Sequence, residues 1–194
     1  AGDLLNNRGK RKEVVDRLSR AQAMITNMAN LANSLMQKTN FEGNFQKSSV
    51  NSLISSFFDF IRPIYKSSPL QLEKDLDPTL PDVSIDSGLM MQVMFNLVKN
   101  AVEAKPDGVI TVSTERKNHH EICIVISDNG PGIPKEKQLR IFEPLFTDKS
   151  QGHGYGLAIC KDIIEKHKGD IKVESQPGKG TRFVITLPLS LADD

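Results

Sequence analysis

The chain has 194 residues, 38% hydrophobic and 25% charged, and its 25 Lys and Arg against 24 Asp and Glu leave a formal net charge of +1. Such a composition supports a packed core and excludes both global disorder and the strong basic footprint of a dedicated nucleic-acid binder. No apolar run nears the roughly 20 residues that span a bilayer and no secretory leader opens the chain, so a cytoplasmic protein is expected, with Cys123 and Cys160 as small buried hydrophobes. From Lys10 to Met36 there is no proline, and Val14, Leu18, Ala21, Ile25, Met28, Ala32 and Leu35 recur at spacings of four and three. That seam, widened by Met24 and Leu31, predicts an amphipathic helix about 40 Å long. It cannot bury its stripe against itself and must pack on the domain or on another chain; a homodimer through this helix is the favoured expectation, with residues 1–45 as a helical dimerisation segment and 46–194 as a separate domain. Leu53–Tyr65 reads as a helix, and Gln71–Leu76 and Val83–Ile85 as short strands. A strong helix runs from Ser87, taken as its N-cap, to Ala104, stopped by Pro106-Asp107-Gly108. Val109–Glu115 and Ile122–Ser127 read as paired strands, Glu136–Phe142 as a short helix, Tyr155–His167 as a longer one, and Ile171–Glu174 and Phe183–Leu187 as closing strands. Strands and helices mix without a regular βαβ rhythm. The expected fold is therefore α+β, a two-layer α/β sandwich with a mixed sheet covered by helices on one face, preceded by the long N-terminal helix.

On the helix from Ser87, Gln92, Asn96, Lys99, Asn100 and Glu103 share one arc, opposite Met90, Val93, Met94, Leu97, Val98 and Ala101. Asn lowers helix stability relative to Ala, so two at i and i+4 ask for a reason. A carboxamide oxygen is a hard neutral ligand suited to Mg²⁺, although Asn-x-x-x-Asn is a weak signal alone and a solvated face explains it better by itself.

Three glycine segments come next. Asp128-Asn129-Gly130-Pro131-Gly132 leaves an apolar strand through a rigid turn, which sets a carboxylate at the mouth of the core. There it can accept from an exocyclic amine. Gly152-His153-Gly154-Tyr155-Gly156-Leu157 opens a helix, where free N–H groups and the helix dipole suit phosphate oxygens. Gly178-Lys179-Gly180-Thr181 lies between strands. None of these fits a Walker loop or a dinucleotide-binding fingerprint.

Asn96-Leu-Val-Lys-Asn100-Ala, Asp128-Asn-Gly-Pro-Gly132, Ile141-Phe-Glu-Pro-Leu-Phe146, Gly152-His-Gly-Tyr-Gly-Leu157 and Gly178-Lys-Gly-Thr181 together resemble the N box, first glycine box, F box, and second and third glycine boxes. In that order they resemble the ATP-binding catalytic domain of sensor histidine kinases, in the gyrase/Hsp90/histidine kinase/MutL superfamily, over about residues 46–190. The resemblance implies ATP and Mg²⁺ as cofactors. It implies Asn100 as the metal ligand and Asn96 near the phosphates, the two forming the catalytic pair. It implies Asp128 on the adenine amine, with Gly130, Gly132 and Thr181 on the base side. Lys149, Gly152, His153, Gly154, Tyr155, Gly156 and Leu157 would lie along the triphosphate under a lid spanning 146–153, anchored by Phe142 and Phe146. His153 and Tyr155 depart from the more usual small residue and leucine. Hydrolytic members of the superfamily carry a water-activating glutamate where this chain has Asn96, and an amide cannot act as a general base at neutral pH.

The resemblance further implies two partners, the receiver domain of a response regulator and a dimerisation helix carrying an acceptor histidine. The helix over 10–36 contains no histidine, and His120-Glu121 is followed by a strand-like run without proline. His119 and His167 read as surface-loop or helix-end residues. A fragment that binds ATP without efficient self-phosphorylation is expected. A degenerate nucleotide-binding dimerisation scaffold and an anti-sigma-type serine kinase are the alternatives.

Overall fold

A computed structural model describes residues 43–147 and 154–189. The chain divides into two units between Gly43 and Asn44. The helix expected over 10–36 lies outside the described residues, which fall almost wholly in the second unit.

Sequence alternation in this unit builds a five-stranded sheet in the order β2-β4-β5-β7-β6, from β2 (Gln71–Leu76), β4 (Val109–Arg116), β5 (Glu121–Asp128), β6 (Asp170–Ser175) and β7 (Thr181–Pro188). Only β2 and β4 run parallel; the other neighbours are antiparallel. A short pair, β1 (Gln46–Ser48) and β3 (Val83–Ile85), stands apart from it. The polar β1 carries no strand-like alternation and escapes sequence reading; it forms because β3 offers it a partner.

Three helices bury their apolar stripes against one face of this sheet: α1 (Val50–Tyr65), α2 (Ser87–Ala104) and α4 (Gly156–Lys166). On α1 the stripe is Val50, Ile54, Phe57, Phe58 and Ile61; on α2 it is the predicted set from Met90 to Ala101, to which the structure adds Asn96. Each fully buried side chain of this size contributes roughly 1.5–3 kcal/mol. Cys123 and Cys160 are both buried and free, and burial pushes the Cys160 thiol up to about 12.

Three local expectations change. The N-cap of α2 is Asp86 rather than Ser87: Asp86 keeps the extended backbone of β3, and its carboxylate accepts from Leu89 N at 3.0 Å and from Asn44 N at 2.9 Å. The short helix is only α3 (Lys135–Gln138). Beyond it the chain tightens into turns, with Arg140 N donating to Lys137 O and Glu143 N to Arg140 O, both at 2.8 Å, and Leu145 takes φ 68°. That tightening swings Phe142 inward, edge-on to Phe183 with centroids 6.3 Å apart.

The third concerns His167, which ends α4 as a helix-end residue should but is only 1% exposed. Its Nε2 accepts from Asp86 N at 3.0 Å and its Nδ1 donates to Ile163 O at 2.8 Å, while Phe45 meets the ring edge-on at 4.9 Å. One neutral imidazole thus joins the end of α4, the start of α2 and the strand leading in from residue 44. Burial holds its pKa below the usual 6.5. The unfolded chain therefore takes up a proton before the folded one, and stability should fall as pH drops below about 6.5. Melting temperatures measured between pH 7.5 and 5.5 should fall less steeply for His167→Gln, which keeps an acceptor but does not titrate; equal slopes would refute this role.

Candidate functional site

The site is the polar end of an apolar ladder. Along β5, Ile122, Ile124 and Ile126 face the helices, and Asp128 is the next residue in that alternation. On β7, Thr181 precedes Phe183, Ile185 and Leu187; on β6, Ser175 follows Ile171 and Val173. Strand register sets Ile110 opposite Asp128, Asp128 opposite Thr181, and Thr181 opposite Ser175. Directly opposed residues share a face with Cβ atoms about 4.5–5.5 Å apart, so one cross-strand row holds a carboxylate and two hydroxyls.

Asp128 Oδ1 accepts from Gly130 N at 2.8 Å. Burial holds this carboxyl above the usual aspartate range, and the backbone N–H groups of Gly130 and Thr181 pull it part of the way back. The loop after Asp128 is fastened to the β6–β7 turn. Gly178 N donates to Pro131 O at 2.7 Å and Ile133 N to Ser175 Oγ at 2.8 Å, while Gln138 Nε2 bridges Ile133 O and Ser175 O at 2.6 and 2.9 Å. Gly132, at φ 74°, lets this crossing happen, because a Cβ there would overlap Gln176 O. Gly130 packs on the last turn of α2, where a Cβ would lie 3.6 Å from that of Ala104.

The other end of the site is at the start of α4. Asn96 is 7% exposed, and its Nδ2 donates to Gly156 O at 3.3 Å. Tyr155 sits at the N-cap without a side-chain hydrogen bond to the helix, so among the described residues the first-turn N–H groups, including those of Gly156 and Leu157, have no side-chain cap and suit an anion. Gly154, at φ 69°, presses on the Leu145 backbone, where any Cβ would collide. From Asn96 to Ala104, α2 runs roughly 12 Å at 1.5 Å per residue, with half-buried Asn100 midway. One helix therefore connects the carboxylate row to the start of α4.

The structure brings together Asp128, Gly130, Gly132 and Thr181 at the first end, and Asn96, Gly154, Tyr155, Gly156 and Leu157 at the second. Lys149, Gly152 and His153 lie outside the described residues. Glu103 is exposed, with Lys99 at 3.9 Å. Among the described residues no three His, Cys, Asp or Glu side chains cluster as a metal site. A divalent cation here would take its oxygens from an amide such as Asn100 and from the phosphates of its own ligand, which suits Mg²⁺. Gln92 Nε2, on the same stripe, is buried without a hydrogen-bond partner. Ser175 escapes the motif reading; period-2 alternation extended one step past Val173 would have found it on the row.

Comparison with known proteins agrees with this geometry. Residues 85–191 match the family described as histidine kinase-, DNA gyrase B- and HSP90-like ATPase. The chain is 41% identical over 142 residues to the adaptive-response sensory kinase SasA of Rippkaea orientalis, a match covering 71% of this chain and 36% of that protein. It spans well under half the length of the curated relatives it matches. The catalytic domain of the histidine kinase ThkA, in a nucleotide-free form, superposes with a TM-score of 0.69 at 32% identity, covering 76% of this chain and 97% of that one. ThkA in complex with the response regulator protein TrrA gives 0.71 at 25% identity, covering 87% and 49%.

Proposed function

The chain belongs to the histidine kinase-, DNA gyrase B- and HSP90-like ATPase family, and from that premise we propose that it binds ATP with Mg²⁺ and passes the γ-phosphoryl group to a histidine of a sensor-kinase dimerisation domain, for relay to a response-regulator receiver. The observation that carries this reading is the pairing of a half-buried, amide-oriented carboxylate at one end of α2 with a helix N-terminus at the other that has no side-chain cap among the described residues.

Asp128 accepts from the amine of the base, held in direction by Gly130 N–H. The first-turn N–H groups of α4 receive phosphate oxygens. Asn100 supplies an amide oxygen to the metal, and Asn96, tied to Gly156 O, fixes the start of α4 against α2. Mg²⁺ held by Asn100 would supply charge neutralisation to the phosphates for the transfer. The residue one turn before Asn100 is an amide that cannot take a proton from water, which favours transfer to an acceptor over hydrolysis. Residues 10–36 supply the dimer helix in this reading. In this reading the acceptor lies on another segment, since His119 and His120 lie in an exposed hairpin, His167 is buried and His153 is assigned to the phosphates. The ThkA–TrrA complex supports a response regulator as the downstream partner.

Calorimetric titration with a non-hydrolysable ATP analogue, with and without Mg²⁺, tests the site. Asn100→Ala should lose most of the Mg²⁺ enhancement while keeping some nucleotide affinity, and transfer from labelled ATP to a dimerisation domain supplied in trans should fall with it. Unaltered Mg²⁺ dependence would move the metal ligand elsewhere. No Mg²⁺-dependent binding in the unsubstituted chain would favour the non-enzymatic scaffold.

A further inference from the structure

We propose that Ser175 sets the base selectivity of the nucleotide site by fixing the direction of the Thr181 hydroxyl proton. The inference rests on the reading of Asp128 as the adenine contact.

Ser175 Oγ has three neighbours. Ile133 N donates to it at 2.8 Å, Gly180 O lies at 2.8 Å, and Thr181 Oγ1 lies at 3.1 Å. A serine hydroxyl offers one proton and two lone pairs. The Ile133 amide can only donate, so it takes one lone pair. The Gly180 carbonyl can only accept, so it takes the proton. What remains for Thr181 is a lone pair, and Thr181 must therefore donate its own proton to Ser175. Its oxygen then presents lone pairs, and no proton, to everything else around it.

Thr181 is the register partner of Asp128 and shares its face of the sheet. The row thus offers a base two acceptors side by side. A 6-aminopurine presents two N–H bonds to such a pair, directly or through a water. A 6-oxopurine presents a carbonyl oxygen there instead. A threonine free to rotate could donate to that oxygen and tolerate the wrong base. With its proton committed to Ser175 it cannot, and acceptor faces acceptor in a buried place. Ser175 touches no ligand in this scheme: it is a positioning residue that acts through Thr181.

ADP and IDP carry the same sugar and phosphates and differ at the 6-substituent, so the ratio of their dissociation constants, measured by calorimetry on the full chain, reads the effect. The unsubstituted chain should prefer ADP. Ser175→Ala should lower that preference by about three- to tenfold, chiefly by tightening IDP, because Thr181 regains a proton to offer. Ser175→Thr, which restores a hydroxyl and suits a strand, should recover it. A purely structural role for Ser175 would weaken both nucleotides alike. Melting temperatures identify a variant that has lost its fold; in that case Ser175→Cys, which keeps the volume but is a poor acceptor, carries the same expectation. An unchanged ratio in a folded variant overturns the proposal while leaving the adenine reading intact. Equal affinity for ADP and IDP in the unsubstituted chain overturns the adenine reading, and this proposal with it.

Discussion

Asp128→Ala is expected to weaken adenine-nucleotide binding by about 10- to 100-fold while leaving the melting temperature close to its original value. A hydrogen bond to a charged acceptor is worth about 1.5–3 kcal/mol, and each 1.4 kcal/mol is a factor of ten. The fold loses little, because two effects oppose each other. Gly130 N–H loses its acceptor, at about 0.5–1.5 kcal/mol, while a carboxylate that burial disfavours is removed. A side chain whose removal damages binding but not stability is placed there for its ligand. The same burial gives the site an acid limit. Since the Asp128 carboxyl titrates above the usual aspartate range, nucleotide affinity should fall with pH earlier than an ordinary aspartate would allow. Calorimetry at neutral pH decides the main point: unchanged affinity in the variant would remove Asp128 from the base subsite.

The largest effect on stability is expected at Gly180. Its φ is 86°, and a Cβ there would overlap the backbone oxygen of Asp128, an atom that β5 cannot move without breaking its pairing with β7. Gly180→Ala combines left-handed strain, about 1–3 kcal/mol, with an overlap of similar cost, so a loss of about 2–6 kcal/mol is expected. Gly178 is the internal control. It has a similar φ, 78°, but nothing within 4 Å of a Cβ, so Gly178→Ala should cost only the strain. Denaturant unfolding of the two variants side by side measures the difference. Equal losses would mean that the contact with Asp128 adds nothing beyond backbone conformation.

Much of this arrangement is legible in the amino-acid sequence. The apolar period of α2 identifies its buried face, and the alternation in β4 identifies the core face of the sheet, whereas the continuous apolar run of β5 marks it only as a buried strand. What eludes the sequence has identifiable physical causes. Asp86 caps α2 because β3 delivers it in an extended conformation with Asn44 beside it, and β3's role depends on a pairing with β1 that no local pattern announces. His167 reads as a helix-end residue because its neighbours Lys166 and Lys168 are polar. Its burial comes from Asp86 and Phe45, far away in the chain. Ser175 sits in an ordinary strand end, and its importance appears only when register sets it beside Thr181. The short helix after Pro134 is over-read because its apolar residues, Leu139, Ile141 and Phe142, suit a helical stripe. The chain instead turns early, leaving Leu139 86% exposed and sending Phe142 to Phe183.

The row of Asp128, Thr181 and Ser175 also bears on the order in which the domain forms. The β4–β5 hairpin closes through a short local turn, whereas Asp128 and Thr181 are about 50 residues apart and meet only when β7 docks. Such non-local pairing is slow, since the loop must close before any contact rewards it. The proposed base subsite therefore exists only on a finished sheet, and partly folded chains lack it. A nucleotide that binds the finished sheet and not its precursors stabilises it by mass action, by about 2.7 kcal/mol at a hundredfold excess over Kd. The substrate of the proposed reaction is thereby also the last fastening of the β-sheet that holds it.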